Sequence, residues 1–314
     1  MAEPAADPQS VPRDTTVAGI LCVVAFTLTA PVMDAFAKAT PEVVPVLQIV
    51  AARFGVQVAV LVPLALVLGL GRWPSRADWG QHLARGLLLM VGTALFFTAL
   101  RYMPIANALA IFFVEPFILT LLGAVLLGEE VGRRRIIACA VGFAGALLVI
   151  QPSFAELGAV ALLPLGTALC LALYMVMTRR MAQRMHPIAL QGWTATAACA
   201  ALFPALWAFD GSGIAALDPV RPAGLAVWTL LGVGVMATVA HLFLSFALRL
   251  APAATIAPLQ YLEIVAAAAV GYWVFGDFPD LLTWAGVAVI VTSGLYVFAR
   301  ERQLSLRRRP LPPT

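Results

Sequence analysis

Three ionisable residues stand alone inside long apolar runs, and intramembrane charge is where transport chemistry is found. Glu115 lies in FVEPF, residues 113–117, the only formal charge between Pro104 and Gly128. Glu263 lies in YLEIV, residues 261–265, and Arg53 in AARF, residues 51–54. An ionisable group at the bilayer centre costs several kcal/mol unless it faces a cavity or a partner, so such residues mark ion or substrate pathways. A buried carboxyl with a raised pKa can load and release a proton, while a nearby arginine opposes that rise. Glu115 and Glu263 are therefore candidate proton-coupling or substrate groups. The bland reading has both hydrogen-bonding between helices without titrating. Arg53 is suited to an anionic substrate group, or to a fixed counter-ion role for one of the glutamates.

Other polar residues are weaker candidates. Asp34 and Lys38 are spaced i, i+4 on one helix and are expected to pair, as a structural ion pair or an outer gate. His241, deep in a span, is either a proton site or a neutral histidine held between helices. Tyr174, Gln260 and Tyr261 lie deep enough to line a cavity, whereas Tyr102 and Trp273 read as interfacial anchors. Cys22, Cys139, Cys170 and Cys199 fall in apolar runs without metal-ligand spacing, which reads as neither a disulfide framework nor a zinc site. No metal or cofactor is expected.

The elements that must carry these residues follow from composition. Of 314 residues, 62% are hydrophobic and 11% charged; a soluble domain carries about 25% charged residues. Apolar runs of roughly 20 residues, each long enough to cross a bilayer core, recur throughout. Ten spans are expected: 17–38, 46–70, 83–101, 105–127, 136–151, 157–178, 187–209, 225–249, 253–275 and 281–299. Residues 1–16 are rich in Pro and acidic residues, and are expected to be a disordered cytoplasmic N-terminus rather than a signal peptide. Residues 300–314 form a basic cytoplasmic tail.

Arginine placement orients the chain. Arg13, Arg72, Arg76, Arg85, Arg133–Arg135, Arg179, Arg180, Arg184, Arg249 and the tail arginines fall on one side. Lys38, Arg101 and Arg221 fall on the other. Both termini are expected in the cytoplasm. The formal net charge of +4 is topology rather than a nucleic-acid signal. No GxxxxGK[ST] loop is present, so the chain carries no ATPase of its own.

Sliding the chain against itself by 148 residues sets LRYMPIA (100–106) on LRLAPAA (248–254), Glu115 on Glu263, Gly123 on Gly271, and GEE (128–130) on GDF (276–278). Halves of five spans each, 17–151 and 157–299, imply that the second is inserted upside down. The basic loop GEEVGRRR and its acidic counterpart GDFPD agree with that inversion. The expected fold is an all-α integral membrane protein of ten helices in two inverted five-helix repeats, with a substrate site at mid-membrane between them. Gly142, Gly145 and Ser293-Gly294 read as close helix-packing points, with a dimer interface as the second reading; the chain is expected to be a monomer or homodimer in the lipid bilayer.

The segments ALRYMPIANA and ALRLAPAATIAPLQYLE, GEE and GDF, and the closing GFAGALLVI and VIVTSGLYVF resemble the EamA family of the drug/metabolite transporter superfamily. DAFAK (34–38), AARF, HLARGLLL (82–89) and FGDFPD (275–280) resemble a bacterial subgroup that includes S-adenosylmethionine and riboflavin carriers. The resemblance implies alternating access around a central cavity, in the cytoplasmic membrane, without ATP hydrolysis. The expected function is secondary transport of a small organic metabolite, with or without proton coupling. Specific uptake of riboflavin or S-adenosylmethionine is the narrower alternative. A membrane-embedded enzyme is disfavoured, because His82, His186 and His241 are scattered and no catalytic constellation accompanies them.

Overall fold

The structure is a computed structural model describing residues 13–70, 73–127, 133–181, 184–214, 216–250 and 259–307. Eleven α-helices are described: α1 (Arg13–Ala39), α2 (Val46–Val67), α3 (Arg76–Leu100), α4 (Ile105–Phe112), α5 (Glu115–Leu127), α6 (Arg133–Leu157), α7 (Leu163–Met181), α8 (Pro187–Phe209), α9 (Leu225–Leu250), α10 (Leu262–Phe275) and α11 (Leu281–Arg307). A 3₁₀ segment, Gly158–Leu162, joins α6 to α7. The expected disordered N-terminus, 1–16, lies largely outside the described residues, and the GEE segment, 128–130, wholly outside them.

Six described helical segments are long and apolar enough to cross a membrane: Val17–Ala39, Val46–Val67, Arg76–Leu100, Phe154–Thr178, Pro187–Phe209 and Leu225–Ala247. Four shorter apolar helices, Ile105–Leu119, Ile136–Val149, Leu262–Phe275 and Leu281–Tyr296, lie where the other expected spans fall. Large apolar side chains such as Leu21, Trp207, Trp228, Trp273 and Leu281 are exposed on the outside of this bundle, as lipid requires and water would not tolerate in such number.

The chain enters α3 through a reciprocal cap. Ser75 Oγ accepts from the Asp78 backbone N–H at 3.2 Å, and Asp78 Oδ2 accepts from the Ser75 backbone N–H at 3.0 Å. This satisfies two of the free donors that every helix start leaves. The segment expected as one helix from 105 to 127 is interrupted by a turn at Phe113–Val114 and restarts at Glu115. Pro116 therefore occupies a first helical turn, where its missing N–H costs little, rather than kinking a continuous helix. The same device recurs at Tyr261, a turn immediately before α10, whose first turn carries Glu263. Both glutamates thus sit where unsatisfied N–H groups and the helix dipole favour negative charge.

Helix packing comes in exchange-related couples. α1 packs on α9, as α7 does on α3; α2 packs on α9, as α8 does on α3; α5 packs on α7, as α10 does on α1. α2 with α8 and α6 with α11 pack as counterparts. Phe113 and Tyr261, 148 positions apart, stack on each other with ring centroids 5.2 Å apart.

Backbones approach closely where glycine allows it. A Cβ on Gly286 would lie 2.7 Å from Gly145 O, and one on Gly145 would lie 3.1 Å from Gly286 O, so α6 and α11 cross through these two residues. Ser293 Oγ donates to Ala138 O at 2.5 Å across the same pair of helices. A Cβ on Gly232 would lie 2.6 Å from the Phe36 ring, seating α9 against α1.

Candidate functional site

Four helices bring ionisable side chains together in the buried interior. Arg53 on α2 is 3% exposed. Its Nη1 donates to Thr93 Oγ1 on α3 and its Nη2 to His241 Nε2 on α9. Guanidinium nitrogens only donate. His241 Nε2 must therefore accept, which leaves a neutral imidazole with its proton on Nδ1. Thr93 turns its own hydroxyl proton to Leu89 O at 2.7 Å, freeing its oxygen for Arg53.

Asp34 on α1 and Glu263 on α10, 2% and 7% exposed, stand within electrostatic reach of one another, and Asp34 also of Arg53. One turn along α2 from Arg53, Gln57 Nε2 donates to Ala237 O at 3.4 Å, tying α2 to α9 beside the site. Two carboxylates, one arginine and one neutral histidine can bind a polar metabolite, and the carboxylates can exchange protons.

A second polar cluster lies further along α3. Arg85 is fully buried. Its Nε donates to Thr178 Oγ1 (3.2 Å), Nη1 to Thr194 Oγ1 (2.7 Å) and Nη2 to Tyr174 Oη (3.0 Å). Its guanidinium also lies over the Tyr174 ring, 4.7 Å from the centroid. Gln191 Nε2 donates to Tyr174 Oη at 3.2 Å and approaches Ser245 Oγ at 3.4 Å. His82 Nδ1 lies 3.2 Å from Thr194 Oγ1.

The expected pairing of Asp34 with Lys38 is corrected. Lys38 Nζ bonds instead to Asp277 Oδ2 at 2.5 Å and to Met103 O at 3.2 Å, with its charge 4.9 Å from the Phe275 ring centroid. A lysine's long stem reaches a partner in the segment that follows α10, which i, i+4 spacing cannot reveal. Lys38 thus stands apart from the site, while Asp34 stays within electrostatic reach of Arg53 and Glu263. Glu115 is partly buried at the start of α5. Tyr174 is buried and belongs to the Arg85 cluster, within electrostatic reach of Arg53. Tyr261 packs on Phe113, and its hydroxyl fills the space a side chain at Gly294 would need. Gln260, just before it, is partly buried. Tyr102 and Trp273 are exposed.

Arg85, His82, Gln191 and Thr194 are functional candidates that the sequence reading does not single out. Arg85 reads there as one of the arginines that orient the chain, near the start of the expected span 83–101. The Ser75…Asp78 capping pattern, which starts α3 well before that span, is the sequence signal that places it further inside the helix.

Comparison with known proteins decides the family. Residues 17–151 and 158–299 each match the EamA-like transporter family. This chain belongs to that family. The EamA-like chain is 28% identical to a riboflavin transporter of Vibrio cholerae, over 82% of this chain and 84% of that protein. It is 28% identical to a pseudopaline exporter of Pseudomonas aeruginosa, over 89% and 95%. It is 24% identical to an S-adenosylmethionine uptake transporter of Rickettsia felis, over 72% and 74%. A solved crystal structure matches with a TM-score of 0.60 at 21% identity, over 93% of this chain and 98% of the other; that likeness concerns the fold. These relatives and the apolar helices make the chain a multi-pass bacterial inner-membrane protein of the drug/metabolite transporter superfamily.

Proposed function

We propose that this EamA-like protein is a secondary transporter that moves a small organic metabolite by alternating access. Its binding site lies at Asp34, Arg53, His241 and Glu263. The observation that carries the reading is the convergence of buried charge from both halves of the chain, α1 and α2 with α9 and α10, at one point. Buried charge is costly in lipid unless it serves a pathway. The two halves are inverted five-helix repeats with both termini cytoplasmic; the exchange-related helix packing and the Phe113–Tyr261 contact support this organisation. Rocking of one half against the other then opens the site to each side in turn. Glu263, with Glu115 as its counterpart, is the group proposed to couple transport to protons.

The substrate class is read from the relatives, which are named for riboflavin, S-adenosylmethionine and pseudopaline. Uptake of a vitamin or cofactor is the narrower form of the proposal. The test is thermal unfolding of the purified protein in detergent with riboflavin or S-adenosylmethionine at rising concentration. A true ligand at 100 times its dissociation constant stabilises by about 2.7 kcal/mol. The expected result is a shift with one of the two that Arg53→Gln removes. No shift with either, from a folded sample, rejects the vitamin and cofactor form. A shift that persists in Arg53→Gln moves the site away from this cluster.

A further inference from the structure

Arg85 differs from Arg53 in one respect. Arg53 stands within electrostatic reach of Asp34, whereas among the described residues every hydrogen bond that Arg85 makes goes to a neutral group on α7 or α8. Among the described residues, no carboxylate lies within ion-pair distance of it. A cation removed from water is strongly disfavoured unless an anion balances it, and three bonds to hydroxyls recover only part of that cost. Thr178 and Thr194 spend their hydroxyl protons on Tyr174 O and Leu190 O, both at 2.7 Å, so their oxygens accept from Arg85 and hold its fork in place. A guanidinium carries five N–H donors, which leaves two beyond the three bonds to Thr178, Thr194 and Tyr174. Among the described residues, Trp193 Nε1 is a buried donor without a hydrogen-bond partner; Trp193 and His82 both flank Trp79, with ring centroids 5.9 and 6.1 Å from it.

We propose that Arg85, positioned by Thr178, Thr194 and Tyr174, is a second binding station, whose remaining guanidinium donors take an oxyanion, a carboxylate or phosphate, carried by the transported molecule. Eight residues of helix separate Arg85 from Thr93, about 12 Å along α3, and Tyr174 lies between, bonded to Arg85 and facing Arg53. The station is therefore adjacent to the central cluster and distinct from it. Its use in transport rests on the transporter reading, but anion binding to it does not, and detergent solution separates the two.

The probes are sodium phosphate and sodium succinate, titrated against the purified full-length protein at ionic strength held constant with sodium chloride. Constant ionic strength removes the screening response of surface arginines. The expected result is a saturable rise in Tm, of about 3 °C or more, with at least one probe. Phosphate alone or succinate alone would assign the oxyanion type. Arg85→Gln should abolish the rise, and Arg53→Gln should keep it. If Arg85→Gln does not fold, Arg85→Lys retains the charge but loses the fork, and should raise the half-saturating concentration at least fivefold. The proposal is overturned by no saturable rise with either probe, by an unchanged rise in Arg85→Gln, by an unchanged midpoint in Arg85→Lys, or by a loss that follows Arg53 instead.

Discussion

Single residues carry the site, and four of them were legible because charge has no ordinary reason to sit in an apolar run. Arg53, Glu263, Asp34 and His241 stand out that way, and the structure brings them together. What one chain cannot display is who faces whom. Lys38 and Asp277 are 239 positions apart, so local spacing assigns Lys38 to Asp34 instead. Arg85 is hidden for a different reason: it lies near the start of the expected span 83–101, where it counts as an orientation signal rather than as a buried charge. The electrostatics of Arg53 give a test. Removing one member of a buried charge group leaves the others uncompensated, at a cost of roughly 3–5 kcal/mol. Arg53→Gln alone should therefore lower Tm strongly, whereas Asp34→Asn with Arg53→Gln should recover part of the loss. Thermal unfolding in detergent measures this cycle, and strictly additive effects would show that the two residues do not interact.

At the scale of elements, apolar runs locate the helices but not their interruptions. The expectation of one helix over 105–127 misses the turn at Phe113–Val114, because its residues are as apolar as their neighbours. Pro116 marks the place in sequence but reads equally as a kink. The product of the break is a new helix start, with Glu115 in the first turn of α5 as Glu263 is in the first turn of α10. Close packing was more readable, since Gly145 and Ser293 stand where small residues let helices meet, yet Gly286 was not singled out. The α6–α11 crossing yields a sharp expectation. Gly286→Leu would drive its side chain into Val149 and the Gly145 carbonyl, and overpacking of this kind costs about 1–3 kcal/mol. A clear drop in Tm is expected, and an unchanged Tm would mean the two helices do not cross there.

At the scale of the whole molecule, the most extensive helix packings come in exchange-related couples, with Phe113 against Tyr261. The 148-residue offset made this legible in outline, because it preserves Glu, Pro and Gly where apolar drift would not. Between the halves, at the opposite end of α1 from its start, Lys38 closes onto Asp277. In an alternating-access carrier this pair should part whenever the site opens on that side. The most direct measurement is counterflow in proteoliposomes preloaded with riboflavin or S-adenosylmethionine and given the labelled compound outside. It is made for the wild type and for Lys38→Cys/Asp277→Cys in a background lacking Cys22, Cys139, Cys170 and Cys199, before and after thiol cross-linking. The account predicts transient accumulation of one labelled compound, driven by the unlabelled load, and its loss on cross-linking. Absence of counterflow with both compounds, or counterflow that survives the cross-link, would contradict it.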